Sequence, residues 1–196
     1  MSSLSAEMPV GMRTREEGLT PRRCALAALA LGVVSSIAFA VISVTVTTTE
    51  TTANNLTYHH SGDYWYTASA LPIAVAAAVL LFALRALQPQ ARPRLTIAGA
   101  ALNAAALALL FVMLNVSLAT GAEARWGGTY ILATLVTFVG HGLFVAGTWR
   151  AGLVPRPLLA VWPVVWLLGA FAAQGLTPLL LAAFYCALGV LVARRT

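Results

Sequence analysis

LTIAGAALNAAALALLFVMLNVSLA runs from Leu95 to Ala119 without a single charged residue. A helix rises about 1.5 Å per residue, so a run of this length crosses a hydrocarbon core about 30 Å thick. Arg92-Pro93-Arg94 stands directly before it. The proline breaks any helix arriving from upstream, and the guanidinium groups belong at a membrane surface. The stretch predicts a membrane-crossing helix. The rest of the chain repeats its pattern of apolar run, proline or glycine break, and arginine.

The chain has 196 residues, of which 60% are hydrophobic and 9% charged, and its mean hydropathy is +0.84. Soluble domains carry about 25% charged residues. So apolar a chain has too little polar surface to cover a water-soluble core, and the composition predicts an integral membrane protein. All twelve basic residues are arginine, a bias that reads as codon usage and not as chemistry. The net charge of +6 would suit nucleic acid, but the arginines fall at the ends of apolar runs. There they orient a membrane protein, and no nucleic-acid partner is predicted. Cys24 and Cys186 lie far apart in or beside apolar runs, which offers neither a disulfide framework nor a zinc site.

Six apolar segments are legible, at about 24–46, 64–87, 95–119, 129–149, 158–173 and 178–193. They predict an all-α, polytopic six-transmembrane-helix bundle, forming one domain over residues 21–196. The last two spans are short for a full crossing. Thr177 and Pro178 supply an N-cap and a first helical residue for the sixth. Residues 1–20 hold Pro9, Gly11 and Gly18 without a sustained apolar period, and read as a disordered cytoplasmic tail. Ala38-Phe39-Ala40 resembles a signal-peptide cleavage site, but the apolar run continues to about Val46, which favours an uncleaved first span.

Eleven arginines then fall on one side of the membrane and only Arg125 on the other. The positive-inside rule places both termini in the cytoplasm and the protein in the plasma membrane, among membrane lipids as partners. The outer side receives two loops with chemical potential, Thr47–Asp63 and Thr120–Gly128.

The first outer loop ends in HHSGDYWY, His59 to Tyr66. Two readings of it stand together. In one, Asp63 is a general acid, His59 or His60 relays its proton, and Tyr64, Trp65, Tyr66 and Trp126 shield a cationic intermediate of a hydrophobic substrate. Glu50 and Glu123 are the other acids on this side. In the second, Asp63 N-caps the second span, and the aromatics form a belt at headgroup depth. No ligand spacing points to a metal, and no motif points to a cofactor. Arg125-Trp126-Gly127-Gly128 could fold over the segment as a lid, with Glu123 and Arg125 as a solvated pair.

His141 lies inside the fourth span between Gly140 and Gly142. Thr134, Thr137, His141 and Thr148 share one helical face, which is predicted to look into the bundle. His141, Asn103, Tyr185 and Trp166 each stand eight residues from the inner end of their spans, or about 12 Å deep. They predict a buried polar layer in which Asn103 and Tyr185 meet the imidazole. Such a layer could glue helices together, relay protons or floor a ligand cavity.

GHGLFVAGTWRAGLVPRPLLAVWPVVWLLG, from Gly140 to Gly169, and GDYWYTASALP, from Gly62 to Pro72, resemble small, uncharacterised six-helix membrane proteins of actinobacteria. The shared features are a span ending in Trp149-Arg150 and a Leu153-Val154-Pro155-Arg156 turn. That resemblance implies architecture. The chain more loosely resembles the small integral-membrane terpene cyclases, which place carboxylates and aromatics around a cavity. That likeness implies protonation of an isoprenoid-type substrate, with Asp63, Glu50 or Glu123 as the acid. A non-catalytic ligand-binding or structural protein, and a transporter or channel component, are the alternative expectations.

Overall fold

The computed structural model describes residues 10–48, 57–124, 128–171 and 175–194, with side chains from Thr20 onward. Six α-helices follow one another: α1 (Val10–Thr45), α2 (Ser61–Ala86), α3 (Pro93–Thr120), α4 (Thr129–Thr148), α5 (Arg156–Trp166) and α6 (Pro178–Arg194). A π-helical turn, Leu167–Phe171, extends α5. The breaks follow backbone chemistry. Pro93 opens α3, where its missing N–H is no loss, and Gly121, at φ 63°, closes it in the left-handed region. Pro178 opens α6 as expected.

One boundary differs from expectation by much more than the others. Residues 10–20, expected as unstructured tail, continue α1 toward the N-terminus. Met12, Arg13, Arg15, Glu16, Glu17 and Leu19 are good helix formers, and lengthening an existing helix avoids the cost of nucleation. Residues 1–9 lie outside the described residues.

The helices form a closed ring. Each packs on its neighbour in sequence, and α6 returns to pack on α1. The ends of the ring are tied by a few long-range bonds. At one end Arg22 Nη2 donates to the Ala193 carbonyl at 3.0 Å, and the Arg92 amide donates to the Gly147 carbonyl at 3.0 Å. At the opposite end Ser43 Oγ donates to the Gly175 carbonyl at 2.7 Å, and the Tyr58 amide donates to the Gly121 carbonyl at 2.8 Å. Arg22, the thirteenth residue of α1, therefore lies beside the end of α6.

Leucines and alanines fill the α2–α3 side of the interior, and the buried tryptophans join Phe144, Phe184, Tyr185 and further leucines on the α4–α5–α6 side. Leu80, Leu81, Leu84, Phe144, Trp162, Trp166 and Leu188 are all buried. The outward faces are apolar as well, with Val34, Ile97, Leu132, Leu135 and Phe82 exposed. A soluble protein does not present so much contiguous apolar surface. Four helices (α1 from Thr20, α2, α3 and α4) are long and apolar enough to cross a membrane; Arg156–Phe171 and Pro178–Arg194 are apolar but shorter.

The closest helix contact joins α3 to α4. A Cβ on Gly99 would stand 2.5 Å from the Phe144 backbone nitrogen, and one on Gly140 would strike the Asn103 side chain. Small residues let the two backbones meet, which is how helices associate where no water drives them together. Gly99→Ala is expected to destabilise the bundle by about 1–3 kcal/mol, because backbone and not a movable side chain must give way. Gly189→Ala, in open space, is expected to raise stability by about 0.5–1 kcal/mol through helix propensity alone. Thermal unfolding of both variants in detergent checks the contrast.

Candidate functional site

α2 begins at Ser61, with His60 as its N-cap in extended conformation (φ −122°, ψ 146°). Asp63 therefore stands at the third helical position and not at the cap expected of it. Its Oδ2 reaches back to accept the backbone N–H groups of His60 at 2.9 Å and His59 at 3.1 Å. A carboxylate there satisfies donors that no helical carbonyl can reach, and it stands at the positive end of the helix dipole. The helix starts earlier than hydropathy suggests because this reach-back supports a polar first turn. Asp63 is 5% exposed.

A short relay extends inward from this turn. Thr67 Oγ1 donates to the Asp63 carbonyl at 2.8 Å, and the Tyr58 hydroxyl lies 2.8 Å from Thr67 Oγ1. Tyr58 sets its ring edge-on against Tyr64, with centroids 5.2 Å apart. An isolated antiparallel bridge, Thr57 to Ala122, pins this loop to the end of α3. Gly62 touches the Thr47 carbonyl so closely that a Cβ would collide with it. The α2 start is thus wedged between the end of α1 and the end of α3.

The aromatics of HHSGDYWY divide. Tyr64 and Trp65 are exposed, whereas Tyr66 turns inward to pack on Phe39 at 4.8 Å. His59 and His60 are also exposed, and it is their backbone N–H groups that meet the carboxylate. Glu123 is half-buried and near enough to Tyr66 and Tyr130 for its charge to act on both phenols. Glu50, Arg125 and Trp126 lie outside the described residues, and with them the expected lid. Among the described residues no group of three His, Cys, Asp or Glu is placed to hold a metal ion.

The deeper layer is differently built from the expected one. His141 is buried, and its Nδ1–H donates to the Thr137 carbonyl at 2.8 Å. A carbonyl can only accept, so the proton sits on Nδ1 and Nε2 is left as an acceptor. The ring stacks on Trp166 at 5.0 Å and meets Trp162 edge-on at 5.6 Å. Trp166 Nε1 donates to Thr137 Oγ1 at 3.4 Å, which joins α5 to the same turn of α4.

Asn103 and Tyr185 do not reach the imidazole. Asn103 Nδ2 donates to the Gly99 carbonyl of its own helix at 2.9 Å, and Tyr185 packs against Gly32 on the α1 side of α6. Equal depth did not mean a shared face: α6 turns Tyr185 toward α1, while α4 turns His141 toward α5. Thr137, His141 and Thr148 are buried as their spacing requires, and Thr134 is half-buried. Sequence reasoning missed Trp162, which bridges His141, Phe144 and Phe184. The four-residue step from Trp162 to Trp166 was the available signal. Thr67 and Tyr58 were missed as well, and no local pattern marks them.

No protein-family model, curated protein or solved structure matches the chain.

The Asp63 turn behaves as a latch with a defined acceptor. Asp63→Ala is expected to lower stability by about 1–2 kcal/mol, since two N–H groups lose their partner. Asp63→Asn keeps an oxygen able to accept them and should lose less than half of that. Thermal unfolding of the two variants beside the parent protein measures the difference. His141→Ala is expected to cost about 2–4 kcal/mol, because a fully packed ring leaves a void between Trp162 and Trp166.

Proposed function

We propose that this chain is a six-span integral protein of the plasma membrane, with both termini cytoplasmic, that binds an amphiphilic small molecule without acid catalysis. The observation that carries the non-catalytic reading is the double N–H contact on Asp63 Oδ2. Asp63 is the buried carboxylate among the described side chains, and that oxygen is engaged in starting a helix. The aromatic packing of His141, Trp162, Trp166 and Phe144 fills the α4–α5 side of the interior, which favours a binding or structural protein over a conducting pore.

The orientation rests on charge. Arg22, Arg23, Arg85, Arg92, Arg94, Arg150, Arg156 and Arg194 belong to one end of the ring, and Asp63 and Glu123 to the other. By the positive-inside rule the arginine end is cytoplasmic. The two shorter segments, Arg156–Phe171 and Pro178–Arg194, complete the six spans if the bilayer thins around them by a few ångströms.

Single cysteines in a Cys24→Ser/Cys186→Ser background test this reading. A membrane-impermeant maleimide added to intact cells should label Thr57→Cys and Leu176→Cys and leave Gln90→Cys untouched. Labelling of Gln90→Cys from outside would reverse the orientation. Absence of label at Leu176→Cys alone would reduce the bundle to four spans with a re-entrant α5–α6 hairpin.

A further inference from the structure

The arginine end of the ring carries a cleft that the outer segment and the His141 layer do not account for. A cavity of about 450 Å³ opens between the start of α3 and the last turns of α4. Arg92, Arg150, Gln90 and Trp149 line its mouth, and Gly142 and Val145 belong to its wall along α4. From Trp149 to Gly142 the helix climbs two turns, about 10 Å. The cleft is therefore cationic at one end and apolar along its depth.

Three observations say that it is built and not merely a gap. The Arg92 amide bonds the Gly147 carbonyl, and a Cβ on Gly147 would press on Thr96, so both walls are held. Gly142 meets nothing within 4 Å of where a Cβ would stand; its bare backbone leaves the wall open. Arg92 and Arg150 are both exposed at the mouth and have no carboxylate partner among the described residues, so two cationic groups stand open to an anion there. Beside the mouth, across Gln90, lies a second cavity of about 280 Å³ lined by Gln88. Gln88 is 3% exposed, and neither its side-chain nitrogen nor its oxygen has a partner. A buried amide in that state lacks both a donor and an acceptor.

We propose that this cleft is a binding site for an anionic phospholipid. The two guanidiniums hold the phosphate, the Gly142–Val145 wall takes the start of an acyl chain, and the Gln88 lobe takes the polar headgroup substituent. Guanidinium forks match phosphate oxygens in geometry and charge. Trp149 sits at the interface depth where indoles anchor. An inorganic phosphate would use the arginines and leave the apolar wall empty, so the shape favours the lipid as the source of the anion. The inference rests on the membrane reading above. The two can fail separately, because the following test uses purified protein in detergent and needs no orientation.

The full chain is titrated with phosphatidylglycerol, phosphatidylcholine or inorganic phosphate while thermal unfolding is followed. Phosphatidylglycerol is expected to raise Tm by about 5 °C near saturation, and the other two to leave it unchanged. Arg92→Gln/Arg150→Gln should weaken the apparent affinity at least tenfold. Arg94→Gln/Arg156→Gln, with the same loss of charge outside the cleft, should not. Gly142→Leu fills the apolar wall without touching charge and should also remove the shift, which keeps the test decisive if the double arginine variant does not fold. An equal shift with inorganic phosphate would make this a free-anion site. No shift with phosphatidylglycerol, or an equal loss in Arg94→Gln/Arg156→Gln, would overturn the site altogether.

Discussion

The ring depends on α3 and α4 touching backbone to backbone at Gly99 and Gly140. Lipid tails are as apolar as leucine, so greasy surface alone does not drive helices together in a bilayer. Close contact does, through dispersion between atoms that only missing side chains allow to meet. With α3 and α4 locked, α2 reaches α3 on one side and α5 reaches α4 on the other. What remains is to close α6 onto α1, and there Gly32 receives the ring of Tyr185.

The same solvent constraint governs the polar side chains. Asn115 donates to the Phe111 carbonyl, Ser117 to Met113, Thr120 to Val116, Thr134 to Tyr130 and Thr148 to Phe144, each one turn back in its own helix. A hydroxyl so bonded can face lipid or a packed interior without seeking a partner elsewhere. An amide satisfies one N–H in the same way, although the buried Asn103 Oδ1 keeps no partner among the described residues. This is why Asn103 turns to Gly99 and not to His141. The nearest carbonyl is always one turn away, whereas an imidazole on another helix must be brought there by packing. Trp166 to Thr137 is the described side-chain bond that crosses from one helix to another in the interior.

Much of the architecture could be read from hydropathy and punctuation. With α5 counted through its π-helical extension to Phe171, the ends of α2 to α6 fall within three residues of the apolar runs that foretold them, because proline, glycine and arginine mark the surface whatever the packing. Among the described residues the arginines stand at helix ends that share one end of the ring. The site was less legible. Depth along a helix is a matter of counting, but rotation about its axis depends on which neighbour it meets. His141, Asn103 and Tyr185 were therefore placed at one level and wrongly at one point. The role of Asp63 was half-visible: its place at the start of α2 was plain, but its reach back to His59 and His60 needs a turn geometry that composition does not encode. The cleft at Arg92 and Arg150 was invisible in sequence, since its walls come from helices joined at the far end of the bundle.

The π-helical turn after Trp166 has a consequence for register. In an α-helix a residue five positions on from Trp166 would point about 140° away from it. The wider turn over Leu167–Phe171 brings Phe171 back, and its ring meets Trp166 at 6.1 Å and Tyr130 at 5.7 Å. Gly169, inside the turn, lies against Leu181 of α6. The aromatic stripe of this helix thus counts four residues from Trp162 to Trp166 and then five to Phe171. One surplus residue is absorbed as a local widening, and the two halves of the segment keep a common face although their sequence phases differ.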